Sequence, residues 1–266
     1  MKVYGIDISK YNYPVDFAKV KASGVKFVIL RCSSYKYTNE PRGIYKDPYF
    51  ETFYAGAKKV GLPVGAYFYS EARTIAEAQI ELEFVLKCLK GKKFEYPIYL
   101  DLENQKTLGK TTKAQQTKVV KYILDGLEKE KYYAGLYTGK YIIKGEINIS
   151  DLKDYDLWIA SYTKECSYKP CQMWQFSGET NALGISTKVP GVVGNVADKN
   201  YCYVDYPTII KENGLNGYEK PSKIESAPVD YVKELQLYLN KKYNCNLKID
   251  GVFGKITFNA IKENLK

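Results

Sequence analysis

Residues 96–103, YPIYLDLE, begin as a strand and end on two carboxylates, Asp101 and Glu103, one residue apart. Strand side chains alternate faces, so both acids point the same way, with their Cβ atoms roughly 6.5–7 Å apart. At that spacing two carboxyls can work on one substrate, and mutual repulsion pushes their pKa values apart. Glycosidic bond cleavage needs such a pair: a protonated carboxyl at the leaving oxygen and negative charge beside the developing oxocarbenium centre. A solvated strand end carries the same local pattern, so the elements around the pair must decide.

Seven further apolar runs accompany 97–103: residues 3–9, 26–33, 63–70, 133–139, 156–162, 171–177 and, more weakly, 195–200. Between them DPYFETFYAGAKKVG, TIAEAQIELEFVLKCLKG and TTKAQQTKVVKYILDGLEKE carry apolar residues at helical spacing, the last opening on capping threonines. Alternating strands and helices imply a parallel sheet, and eight such units in about 210 residues fit a closed (β/α)8 barrel better than an open sheet. Barrels place chemistry at the C-terminal ends of their strands. Asp7 ends the first run, Asp101 and Glu103 the fourth, and Asp198 sits in the eighth, beside the first across the seam. Tyr67 and Tyr69 share a face of the third run, Tyr137 and Tyr162 end the fifth and sixth, and Trp174 and Gln175 lie near the end of the seventh. Each aromatic alone reads as core. Together they would ring a groove bearing four acids and serve as substrate-binding residues.

Composition prunes the alternatives. The 266 residues include no histidine, which removes Ser-His-Asp and Cys-His catalysis and every histidine-bearing metal motif. The net charge of +10 favours a polyanionic partner, and the 27 tyrosines offer faces for stacking on sugars or bases. A nucleic-acid motif is missing and the lysines are scattered, so no nucleic-acid partner is expected. The six cysteines lack paired C-x-x-C spacing and read as buried thiols, with a Cys166–Cys171 disulfide as the alternative for one pair. No apolar run reaches the roughly 18 residues needed to span a bilayer, and the N-terminus has no apolar signal-peptide core. The expectation is a soluble protein made in the cytoplasm, with no cofactor, metal or membrane partner.

The ordered motifs GIDIS, VKFVILR, GLPVGAYFYS, YPIYLDLE, GLYTG, LWIASY, MWQFS and VADKN, spanning residues 1–212, resemble glycoside hydrolase family 25. That resemblance implies an irregular, flattened (β/α)8-type barrel and a lysozyme-like muramidase cutting the β-1,4 bond after N-acetylmuramic acid in bacterial peptidoglycan. It implies Glu103 as general acid, Asp101 as its catalytic companion, and Asp7 and Asp198 as supporting carboxylates, acting by a retaining route assisted by the substrate's acetamido group. The eighth motif matches most loosely, and Asp205 competes with Asp198 for its role. A family-18-like chitinase also ends its fourth strand on D-x-E, but Tyr96 and Tyr99 occupy two positions where those enzymes carry acids. Such a muramidase reaches the wall after release from the cell or by non-classical export.

The tail reads as a separate unit. Residues 216–228, rich in Gly, Pro, Ser and charge, form a linker, and 229–266 resume helical periodicity around an Asp250-Gly251 turn. This tail resembles the small helical peptidoglycan-binding domain, which implies a wall polymer as its ligand. A helical hairpin that only packs on the barrel, and a wall-binding protein without activity, are the competing readings.

Overall fold

Alternation along each strand divides the barrel into an inner and an outer layer. The computed structural model describes residues 2–35, 43–103, 111–178, 188–221 and 230–264. Its strands are β1 (Val3–Ile8), β2 (Phe27–Tyr35), β3 (Ile44–Lys46), β4 (Val64–Tyr69), β5 (Ile98–Leu102), β6 (Ala134–Gly139), β7 (Asp156–Ala160), β8 (Met173–Ser177) and β9 (Asp198–Cys202). The helices are α1 (Phe17–Ala22), α2 (Phe50–Lys59), α3 (Ile75–Leu89), α4 (Lys113–Lys129), α5 (Lys140–Gly145), α6 (Tyr206–Asn213), α7 (Tyr231–Tyr243) and α8 (Lys255–Asn264). The eight anticipated strands close into a barrel through the parallel pairing of β1 with β2, and β3 adds an antiparallel ribbon on β2.

All five residues of β5 are buried, as expected of a strand covered on both faces. Ile98, Leu100 and Leu102 join the outer layer with Val85, Val120 and Ile123 of the helices, while Tyr99 joins the inner layer with Phe27, Tyr137 and Trp158. The interior of an eight-stranded barrel is just wide enough for side chains to fill, so bulky inward residues need small neighbours. A Cβ on Gly5 would lie 2.4 Å from the Phe27 ring, and one on Gly135 would lie 2.5 Å from the ring of Tyr99. Inward glycines on β1 and β6 thus accept the aromatics of β2 and β5. Tyr206 of α6 plugs the mouth opposite the strand ends that carry the acids. Its hydroxyl donates to Asp156 at 2.9 Å, and the ring meets that of Tyr96 edge-on at 5.9 Å.

Two helices start on capping boxes, α4 at the threonines its sequence singles out. Thr74 and Glu77 form a reciprocal capping box on α3, and Thr112 and Gln115 do the same on α4.

The expectation of eight uniform parallel units needs two corrections. First, β9 runs antiparallel to both neighbours, β8 and β1. Second, among the described residues no α-helix joins β7 to β8 or β8 to β9. The β7–β8 connection is instead a loop closed by the Cys166–Cys171 disulfide. Buried thiols are therefore confined to Cys32, Cys88 and Cys202, and Cys245 is half-buried.

The chain divides into two units, Met1–Pro221 and Ser222–Lys266. Residues 216–221, expected to open the linker, belong to the barrel unit. Asn216 is fully buried in a left-handed conformation; its side chain accepts from the Tyr133 amide at 2.7 Å and donates to the Tyr96 carbonyl at 2.9 Å. Residues 222–229 lie outside the described residues. In the second unit α7 and α8 pack through Leu239, Leu247 and Ala260. Gln236 of α7 ties the turn between them, donating to Asp250 at 3.0 Å and accepting from the Gly251 amide at 3.0 Å.

Candidate active site

Antiparallel β9 is what brings the fourth acid to the site. Asp198 is the first residue of β9, so in a parallel strand it would lie at the plugged mouth; reversal puts it on the rim, in register with Asp7 of β1. Asp205 lies beyond the other end of β9. There it caps α6, accepting from the Thr208 hydroxyl at 2.8 Å, and so falls away as a site residue. Asp101 on β5 is in register with Tyr69 of β4 and Tyr137 of β6, and Glu103 follows just past the strand end.

These residues border two lobes of open space. The first, of 460 Å³, is lined by Asp101, Glu103, Tyr67, Tyr69, Tyr35, Ser34, Arg31, Lys10, Tyr11 and Tyr45. The second, of 350 Å³, has Asp7 and Asp198 in its wall, with Ser9, Asn12, Val193 and Val196. Tyr67 and Tyr11 line both. Tyr67 also lies within electrostatic reach of Asp7, Asp101 and Asp198, and burial holds its hydroxyl protonated.

A ladder of directional bonds fixes Asp7. Its Oδ2 accepts from Gln175 Nε2 at 3.0 Å and from Asn200 Nδ2 at 2.8 Å. The Tyr137 and Tyr162 hydroxyls donate to Gln175 Oε1 at 2.8 and 3.0 Å, and Trp158 Nε1 donates to Asn200 Oδ1 at 2.8 Å. Both amides therefore turn their NH2 groups toward the carboxylate, which favours its ionised form. Burial opposes them and wins, pushing the Asp7 pKa up to about 6.

The acid pair experiences the same burial without such donors among the described residues. Asp101 is 4% exposed, and its Oδ1 has no hydrogen-bond partner among the described residues. Burial first, then the charges of Glu103 and Asp7, raise its pKa well above the usual carboxylate range, against a pull downward from Arg31. Glu103 is open to the cleft, yet loss of water among the surrounding walls and then the charge of Asp7 raise its pKa too. Such a cluster retains protons at pH values where isolated carboxyls have lost them. It can supply a proton at one atom while keeping negative charge a few ångströms away.

Of the ten residues singled out in the sequence, Asp7, Asp101, Glu103, Asp198, Tyr67 and Tyr69 line the lobes, and Tyr137, Tyr162 and Gln175 support Asp7. Trp174 is the exception. Consecutive strand residues face opposite ways, so with Gln175 inward Trp174 lies in the outer layer, 5.6 Å from Phe176, its Nε1 donating to the Ser161 carbonyl at 2.7 Å. The inward tryptophan is Trp158. Counting back by two from Tyr162 through Ala160 identifies it, and counting on by two from Asp198 identifies Asn200; neither residue was anticipated. Arg31 was missed as well, although it ends the inward series Phe27, Ile29, Arg31 on β2. Among the described residues no group of three or more carboxylates or cysteines is placed to hold a metal ion.

Comparison with known proteins agrees with this geometry. Residues 6–185 match the family described as glycosyl hydrolases family 25. The autolytic lysozyme of Clostridium acetobutylicum is 28% identical over 265 residues, covering 97% of this chain and 71% of its own length. Among solved structures, the CTP1L endolysin superimposes with a TM-score of 0.61 at 25% identity, over 79% of this chain and 69% of its own. A family 25 glycosyl hydrolase from Bacillus anthracis gives a TM-score of 0.60 at 19% identity, over 81% of this chain and 93% of that one. With two thirds of its length inside the family match and the acid pair ending the expected strand, the chain belongs to glycosyl hydrolases family 25.

Proposed function

We propose that this glycoside hydrolase is a muramidase that cuts the β-1,4 bond between N-acetylmuramic acid and N-acetylglucosamine in peptidoglycan. The observation that carries the reading is the Asp101–Glu103 pair at the end of β5 in an open lobe, with Asp7 and Asp198 in register on the adjacent strands β1 and β9. Glu103, accessible and with its pKa raised, is the general acid that protonates the leaving glycosidic oxygen. As the bond to C1 breaks, positive charge builds on the sugar ring and is balanced by Asp7 and Asp198.

Asp101 supports substrate assistance. Lining the lobe beside Glu103, its carboxyl is suited to accept the N–H of the 2-acetamido group, orienting the acetamido oxygen for attack on C1. Water then opens the cyclic intermediate, giving its proton to the Glu103 carboxylate and returning the site to its starting state. The second unit serves as a wall-binding module. A 360 Å³ groove lined by Gln236, Leu247, Asp250, Val252 and Ile256 supports this role, with Val252 and Ile256 mostly exposed. Tethering there raises the barrel's local concentration on its substrate.

The activity is tested by incubating purified cell walls with the protein and titrating new reducing ends and new amino groups in parallel. Reducing ends should accumulate with falling turbidity while amino groups stay constant; the opposite pattern would make the protein a peptidase or amidase.

A further inference from the structure

Two cations share the first lobe with the acid pair, and the reaction described above uses neither. Lys10 and Arg31 line the same 460 Å³ as Asp101 and Glu103. Arg31 is neutralised where it stands: its Nε donates to Asp47 Oδ2 at 2.9 Å, and its Nη2 lies 2.9 Å from the same oxygen. Asp47 is committed further, because it also accepts from the backbone amides of Lys10 at 2.9 Å and Tyr49 at 3.1 Å. One carboxylate thus balances one guanidinium and anchors the main chain beneath Lys10.

The Lys10 ammonium is left over. Among the described residues it pairs with no carboxylate; it bonds the Tyr45 hydroxyl, which raises its pKa, and lies 4.8 Å from the Tyr45 ring centroid and 5.2 Å from that of Tyr11. That bond favours the charged form of the lysine. Positive charge favours the ionised form of any carboxyl it reaches. Arg31 already pulls the Asp101 pKa down. A lysine in this lobe with no carboxylate partner among the described residues suits a substrate that brings its own anion.

N-acetylmuramic acid carries such a group and N-acetylglucosamine does not. The muramic sugar bears a lactyl ether on O3 that ends in a carboxyl, free where the stem peptide has been removed and otherwise amide-linked to a peptide with carboxylates of its own. We propose that Lys10, backed by Arg31, is an anion subsite that takes the carboxylate on the lactyl arm of the substrate. The proposal rests on the muramidase reading and adds to it the group by which the cleft tells muramic acid from glucosamine. Tyr11 and Tyr45 flank the ammonium with their rings and leave it open to an incoming anion, to which it can give a charge-assisted bond.

The test compares the full-length protein with Lys10→Met on soluble glycan strands. Three substrates are used: strands stripped of stem peptides, stripped strands whose lactyl carboxyls are methylamidated, and strands bearing stems. On stripped strands Lys10→Met should raise KM about tenfold, the order of one charge-assisted hydrogen bond, with kcat held within about twofold. The unsubstituted protein should lose the same factor on amidated strands, and Lys10→Met should not distinguish the two. Lys10→Arg, which keeps the charge, should recover most of the affinity. The same pattern confined to stem-bearing strands assigns the ligand as a stem-peptide carboxylate and supports the subsite equally. Equal KM for the unsubstituted protein and Lys10→Met on every strand, with hydrolysis intact, overturns the subsite and leaves the muramidase reading standing. Failure of the unsubstituted protein to cut any strand overturns the muramidase reading, and the subsite with it.

Discussion

At the scale of single residues, the site is a contest between burial, which keeps carboxyls neutral, and the donors supplied to some of them. Glu103→Gln keeps the shape and removes the transferable proton, so kcat should fall at least about a hundredfold with the melting temperature preserved, the usual range for a general acid. Asp7 makes the opposite prediction for stability. Its pKa rises from 3.8 to about 6 in the folded protein. The folded state therefore holds its proton longer than the unfolded chain does, and stability falls as pH climbs from about 4 to about 6. Asp7→Asn removes that penalty while its amide oxygen still accepts from Gln175 and Asn200. It should be more stable by about 1–3 kcal/mol at pH 7 and equally stable near pH 4, read by thermal unfolding at both values, and nearly inactive. The acids were legible because strand period places Asp101 and Glu103 on one face. Trp174 and Gln175 are adjacent strand positions, so only one of them can face the cleft, and nothing in DLWIASY marks Trp158 as inward until a neighbouring inward residue is known.

At the scale of elements, every anticipated strand is present, since apolar runs bounded by turns survive any choice of topology. The direction of β9 was not legible, because alternation reads the same forwards and backwards and so fits either direction. That reversal carries Asp198 to the rim, so the element decides the site. Layer packing gives a separate test. Gly135→Ala places a methyl 2.5 Å from the Tyr99 ring inside a closed barrel, where that ring also packs on Trp158 at 5.1 Å. Overpacking there should cost about 1–3 kcal/mol, seen as a lower urea midpoint at unchanged slope.

At the scale of the whole molecule, the division after Pro221 differs from the sequence boundary at 215, and the difference is measurable. Asn216 makes four hydrogen bonds into the barrel, two through its side chain and two through its main chain to Phe94 and Lys131. Composition alone reads the segment from Asn216 as linker because glycine and asparagine favour exposed turns; here left-handed conformations at Asn216 and Gly217 fold it back onto the barrel. A chain ending at Pro221 should melt within a few degrees of the full barrel transition, whereas one ending at residue 215 should lose about 2–4 kcal/mol as buried partners go unpaired. Both should lose activity on intact walls more than on soluble strands if the tail binds the wall.

The claim on which all of this depends is which bond the acid pair cuts, and mass spectrometry of a borohydride-reduced wall digest reads it directly. The account predicts new termini that are reduced muramic acid, formed by the unsubstituted protein and absent with Glu103→Gln. New termini of reduced glucosamine, or muramic termini that persist undiminished in Glu103→Gln, would contradict it.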